Sequence, residues 1–84
     1  MPVVLRVKGY RFWFYEADLD EPPHVHVGHQ GSEAKYWLDP LALSKLRGFR
    51  DHELTEIQNI LREYRDAISE AWRNEEAKRA HREG

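Results

Sequence analysis

The sequence predicts an α+β domain: a small antiparallel sheet of four or five strands with one long C-terminal amphipathic helix packed on one face. Three observations point there. Two β-branched and aromatic runs near the start are separated by Lys8-Gly9, a third run alternates as His24-Val25-His26-Val27, and apolar residues recur every three or four positions from Leu54 to Trp72. A period of two marks strands with one buried face, and a period near 3.6 marks an amphipathic helix. The apolar stripe of the helix must then cover the apolar face of the sheet.

Val3–Val7 and Tyr10–Tyr15 read as a hairpin, because Lys8-Gly9 has the length and chemistry of a two-residue loop. That loop predicts the pairs Val7 with Tyr10, Leu5 with Phe12 and Val3 with Phe14, giving one continuously apolar face. Residues 16–23, acidic and ending in Pro22-Pro23, deliver an extended chain into a third strand at His24–Val27. Gly28 to Ser32 reads as a turn, and a fourth strand runs from about Ala34 to Leu38. Asp39-Pro40 ends that strand. Leu41–Leu46 fits a short fifth strand or one helical turn, with strand preferred. Asp51 reads as the N-cap of one uninterrupted helix over residues 51–72, whose stripe is Leu54, Ile57, Leu61, Tyr64, Ile68 and Trp72. The domain is residues 1–75, and 76–84 form a charged, fraying helical tail.

Composition narrows the chemistry. Eighty-four residues make one domain with a thin core. There are no cysteines, which removes thiolate nucleophiles and disulfides and agrees with a reducing cytoplasm. The 13 basic and 15 acidic residues give a net charge of −2, so nucleic-acid binding requires a local patch. No apolar run approaches the roughly 18–20 residues of a membrane span, and no membrane partner is expected.

The most informative stretch is Glu21-Pro22-Pro23-His24-Val25-His26-Val27-Gly28-His29. Strand alternation puts His24 and His26 on one face, about 6–7 Å apart, with Val25 and Val27 on the other. Two such imidazoles serve as acid/base groups, as anion contacts or as half of a metal site. No metal and no cofactor are expected, because the remaining ligand candidates, Glu16, Asp20 and His29, lie in loops. If the helix covers the face of Leu5, Phe12, Val25 and Tyr36, the opposite face holds Arg6, Arg11, Trp13, His24, His26, Lys35 and Trp37, with no carboxylate of its own. Asp18, Asp20 and Glu21 precede the histidines closely enough to pair with them, with Asp20 or Glu21 the expected neighbour.

The opening Met-Pro-Val-Val, the strand pair after it, the Asp20-Glu21-Pro22-Pro23-His24-Val25-His26-Val27 segment and a closing helix with a tryptophan near its end resemble the bacterial family called Domain of Unknown Function 4160 over roughly residues 1–75. The resemblance implies small standalone proteins without an established chemistry, encoded beside another small domain in arrangements similar to toxin–antitoxin pairs. Together with the face, it leads to a cytoplasmic interaction protein that binds the product of an adjacent gene, or RNA or DNA, through Arg6, Arg11, Trp13, Lys35 and Trp37; a homodimer contact is a further use of the same face. The alternative is a metal-independent ribonuclease toxin with His24 and His26 as the candidate catalytic residues, in which one or the other acts as general base or acid and Arg11 or Lys35 stabilises the transition state.

Overall fold

Strands adjacent in sequence are adjacent in space. The computed structural model describes residues 3–83, with side-chain surroundings for residues 4–15 and 18–79; Met1 and Pro2, which belong to the opening motif, and Gly84 lie outside it. β1 (Val3–Val7), β2 (Tyr10–Trp13), β3 (His24–His29), β4 (Ser32–Leu38) and β5 (Leu41–Arg47) form one five-stranded antiparallel sheet in the order β1-β2-β3-β4-β5. A 3₁₀ turn, Glu16–Asp20, occupies the loop between β2 and β3, and the chain ends in α1 (Asp51–Glu63) and α2 (Arg65–Glu83).

Two hairpin loops set the register. Lys8 and Gly9 both have positive φ, 52° and 86°, and so do Gln30 and Gly31, 47° and 84°. Consecutive positive φ values match the right-handed twist of the flanking strands. The second loop is tighter than the Gly28–Ser32 turn read from sequence: β3 runs on to His29, which pairs with Ser32. In the first hairpin Val7 pairs with Tyr10 and Leu5 with Phe12 as expected, but a bulge between Val3 and Leu5 puts Val3 opposite Trp13 instead of Phe14. Leu41–Arg47 is a strand, so the preference there holds.

The core lies between one sheet face and the helices. Phe12, Val25, Val27 and Tyr36 from the sheet and Ile57, Leu61, Ile68 and Trp72 from the helices are all buried in one cluster. The helix is not uninterrupted. It breaks at Tyr64, whose φ of −103° and ψ of 13° leave the helical region, although Tyr64 N–H still reaches Ile60 O and Ile68 N–H reaches Tyr64 O. Ile57 and Trp72 stand fifteen residues apart and diverge by about 60° around a straight helix, yet both are buried. Neither proline nor glycine occupies the break, so packing of both ends of the stripe on the sheet, rather than a helix breaker, accounts for it. The N-terminus also shifts by one residue: Arg50 is the cap and its N–H donates to Glu53 Oε1 at 2.9 Å, with Asp51 already helical.

α2 continues through Glu83, and Arg79 binds Asp20 at 2.7 Å, so the charged C-terminal segment is helical and touches the loop ahead of β3. At the opposite side of the sheet, β5 is an edge strand. Leu43 and Leu46 pair with the core-facing Tyr36 and Ala34 but remain 39% and 47% exposed.

Candidate functional site

The register arranges the face away from the core in rows. Arg6, Arg11, Gly28, Glu33 and Arg47 form one row across the five strands. Trp13, His26, Lys35 and Lys45 form the next, and His24, Trp37 and Ala42 the third. The site residues expected from sequence therefore do share a face, but they are not equally available.

Trp13 is only 9% exposed. Its ring stacks on His26 at 21° and 5.8 Å and meets Tyr15 edge-on, and it lies flat over Gly28, where an added Cβ would come within 2.9 Å of it. The glycine admits a large ring against the backbone, and the indole, read as a stacking platform, is closed. Gly28→Ala should displace Trp13 and cost about 1–3 kcal/mol, measurable by urea denaturation together with a shift in tryptophan fluorescence; an unchanged midpoint and spectrum would disprove the packing. Trp37 is half-buried, with Lys35 Nζ 4.5 Å above its ring and His24 edge-on at 5.4 Å.

The face also carries carboxylates, contrary to the sequence reading. Glu33 contributes one from the sheet and pairs with Arg47 at 3.5 Å. The 3₁₀ turn folds Asp18 over the histidines, and the following loop brings Glu21 to Lys35 at 3.0 Å. Alternation along strands could not reveal these last two, because they arrive from a loop. Asp18, rather than Asp20 or Glu21, is the histidines' partner: its Oδ2 is 2.8 Å from His26 Nε2 and its Oδ1 3.2 Å from His24 Nε2. Asp20 is turned towards Arg79.

Asp18 is held where it is by the local chain. Tyr15 N–H donates to Asp18 Oδ2 at 2.7 Å, closing the 3₁₀ turn. Burial alone would raise the Asp18 pKa, but the Tyr15 N–H and the neighbouring His26 and His24 together outweigh it and hold the carboxyl below its ordinary value. Lys35 likewise lowers the pKa of Glu21.

His24 is fully buried, packed against Trp72 and Trp37. Its Nδ1 is 3.0 Å from Pro22 O. A carbonyl only accepts, so Nδ1 carries the hydrogen and the lone pair of a neutral ring resides on Nε2. That Nε2 is buried and makes no hydrogen bond; Asp18 Oδ1 is within ion-pair range but outside hydrogen-bond geometry. His26 differs, with a side chain 16% exposed that lines a groove of about 440 Å³ along with Asp18, Lys35, Lys45 and Arg47. Of the two imidazoles, only His26 lines this groove. His29 stands apart, bonded to Gly9 O.

These features define a small α+β protein in which a helix-backed five-stranded sheet presents a basic face and a His–Asp–His cluster at the edge of a groove. The family model described as Domain of unknown function (DUF4160) matches residues 9–73, and the chain belongs to that family. No curated protein and no solved structure matches it.

Proposed function

We propose that this protein is an interaction module of a cytoplasmic, toxin–antitoxin-like two-gene system, and that it binds an anionic partner across the open face of its sheet. The observation that carries this reading is a pair of like-charge contacts. Arg6 lies directly opposite Arg11, and Lys35 directly opposite Lys45. Like charges facing each other across strands destabilise a sheet; Glu21 answers Lys35 at 3.0 Å, and the cations left over call for an anion. Among the described residues, no salt bridge joins Arg6, Arg11 or Lys45 to a carboxylate.

With Trp13 closed, contacts to phosphates or to an acidic protein surface carry the affinity, and base stacking contributes little. Titration of single-stranded RNA and DNA at several salt concentrations tests this. Binding should weaken steeply with salt, and Arg11→Ala should lower the slope by about one. Weak binding without salt dependence would remove nucleic acid as the partner.

The exposed Leu43 and Leu46 on edge strand β5 favour a protein partner as the second reading, in which the product of the adjacent gene adds a strand beside β5. Co-purification of that product, lost in a Leu43→Asp/Leu46→Asp double variant, distinguishes it. A ribonuclease would have to work with His26 as its one reachable imidazole, and growth arrest on expression, relieved by His26→Ala, is its signature.

A further inference from the structure

We propose that Asp18, His24 and His26 form a binding site for one divalent first-row transition cation of borderline softness, with Zn²⁺ the simplest case. This reverses the expectation drawn from the sequence, where a third ligand had no fixed position. The donor atoms of these residues all lie within 4.8 Å of one another. Two of the separations, 2.8 Å and 3.2 Å, are close to those of atoms sharing one ion, since ligands bound at about 2.0–2.2 Å stand roughly 3–3.5 Å apart.

The buried Nε2 of His24 is the independent sign. In the neutral ring, with its hydrogen committed to Pro22 O, an unshared electron pair on the buried Nε2 faces the Asp18 carboxylate with no hydrogen-bond donor for it among the described residues. A cation between them resolves that conflict. Histidine ligands characteristically donate their other ring N–H to a backbone carbonyl or carboxylate, which fixes the tautomer and the ring plane, and His24 is already held in this way. Asp18 is similarly anchored by Tyr15 N–H. Two nitrogens and a carboxylate suit zinc, cobalt or ferrous iron better than calcium or magnesium, which prefer all-oxygen sets.

Asp18 and His26 line the groove together with Lys35 and Lys45, while His24 is fully buried, so a further ligand would reach the cation from the groove. Three protein ligands with an open position are the pattern of a reactive rather than a purely structural centre. In the metal-free protein His26 Nε2–H donates to Asp18 Oδ2. Ligation through Nε2 requires that nitrogen to give up its hydrogen: a neutral ring carries it on Nδ1 instead, whereas a protonated ring releases one proton to solvent, so affinity falls as the pH is lowered.

The experiment uses the full chain, stripped with a chelator and titrated with ZnCl₂ and CoCl₂. One equivalent should bind, with a saturable rise in Tm and, for Co²⁺, visible absorption bands of a low-coordinate site. His26→Gln and Asp18→Asn, both retaining a hydrogen-bonding side chain, should fold and bind more than tenfold more weakly. His29→Ala, outside the cluster, should behave like the parent. Absence of a Tm rise with either metal, or an equal rise in the His26→Gln and Asp18→Asn proteins, overturns the proposal. The result is independent of whether the sheet face binds an anionic partner.

Discussion

Replacing Trp72 by alanine is expected to destabilise the protein by about 3–5 kcal/mol. The side chain is 1% exposed, meets Phe14 edge-on at 5.1 Å and lies 5.4 Å from His24. Its removal leaves a cavity between α2 and the sheet. A domain of this length has a total stability on the order of 5–10 kcal/mol, so a large part of the population unfolds near physiological temperature. The loss also opens one wall around His24. Urea unfolding followed by circular dichroism measures the first effect, and a change in the chemical shifts of the His24 ring in the residual folded protein measures the second. A cost below 1 kcal/mol would mean that the α2 packing described above is wrong.

The second large effect is expected at Asp18. Asp18→Ala removes the acceptor of the Tyr15 N–H and the anion facing both imidazoles. Leaving such groups without partners costs roughly 1–3 kcal/mol each, and a total near 2–4 kcal/mol follows because His26 retains contact with water. Asp18→Asn keeps an acceptor for Tyr15 and should cost less. The pH dependence separates the charge from the hydrogen bond. The folded-state pKa of Asp18 lies below its unfolded value, so between the two the unfolded chain holds more protons. Its contribution is fully present above the unfolded value and disappears as the pH falls through the folded one. In metal-free protein the acid limb of the stability curve should therefore be shallower for Asp18→Asn than for the parent. Superimposable acid limbs would show that Asp18 does not carry this linkage.

Much of the fold was legible because it depends on local periodicity. Lys8-Gly9 specified a hairpin, the alternation of His24 to Val27 specified which side chains share a face, and the spacing from Leu54 to Trp72 specified the helical stripe. The errors fall where one element meets another. Nothing local to Tyr64 breaks a helix, and the bulge at Val3–Leu5 is absent from the apolar pattern of the hairpin; both depend on how side chains fill space between layers.

The candidate site divides the same way. That His24 and His26 are neighbours was determined by strand geometry alone, and their ring centroids are 5.2 Å apart. That Trp13 is covered, that His24 is sealed beneath Trp72, and that Asp18 rather than Asp20 faces the imidazoles were decided by tertiary structure. Asp18 and Asp20 have equal charge and nearly equal distance along the chain from the histidines. What separates them is the direction imposed by the 3₁₀ turn, with Tyr15 N–H holding Asp18 inward and Arg79 of α2 drawing Asp20 outward. A sequence determines which side chains can share a strand face because the period of the backbone is fixed. It does not determine which loop carboxylate closes over that face, because that choice depends on contacts made only after helix and sheet have docked.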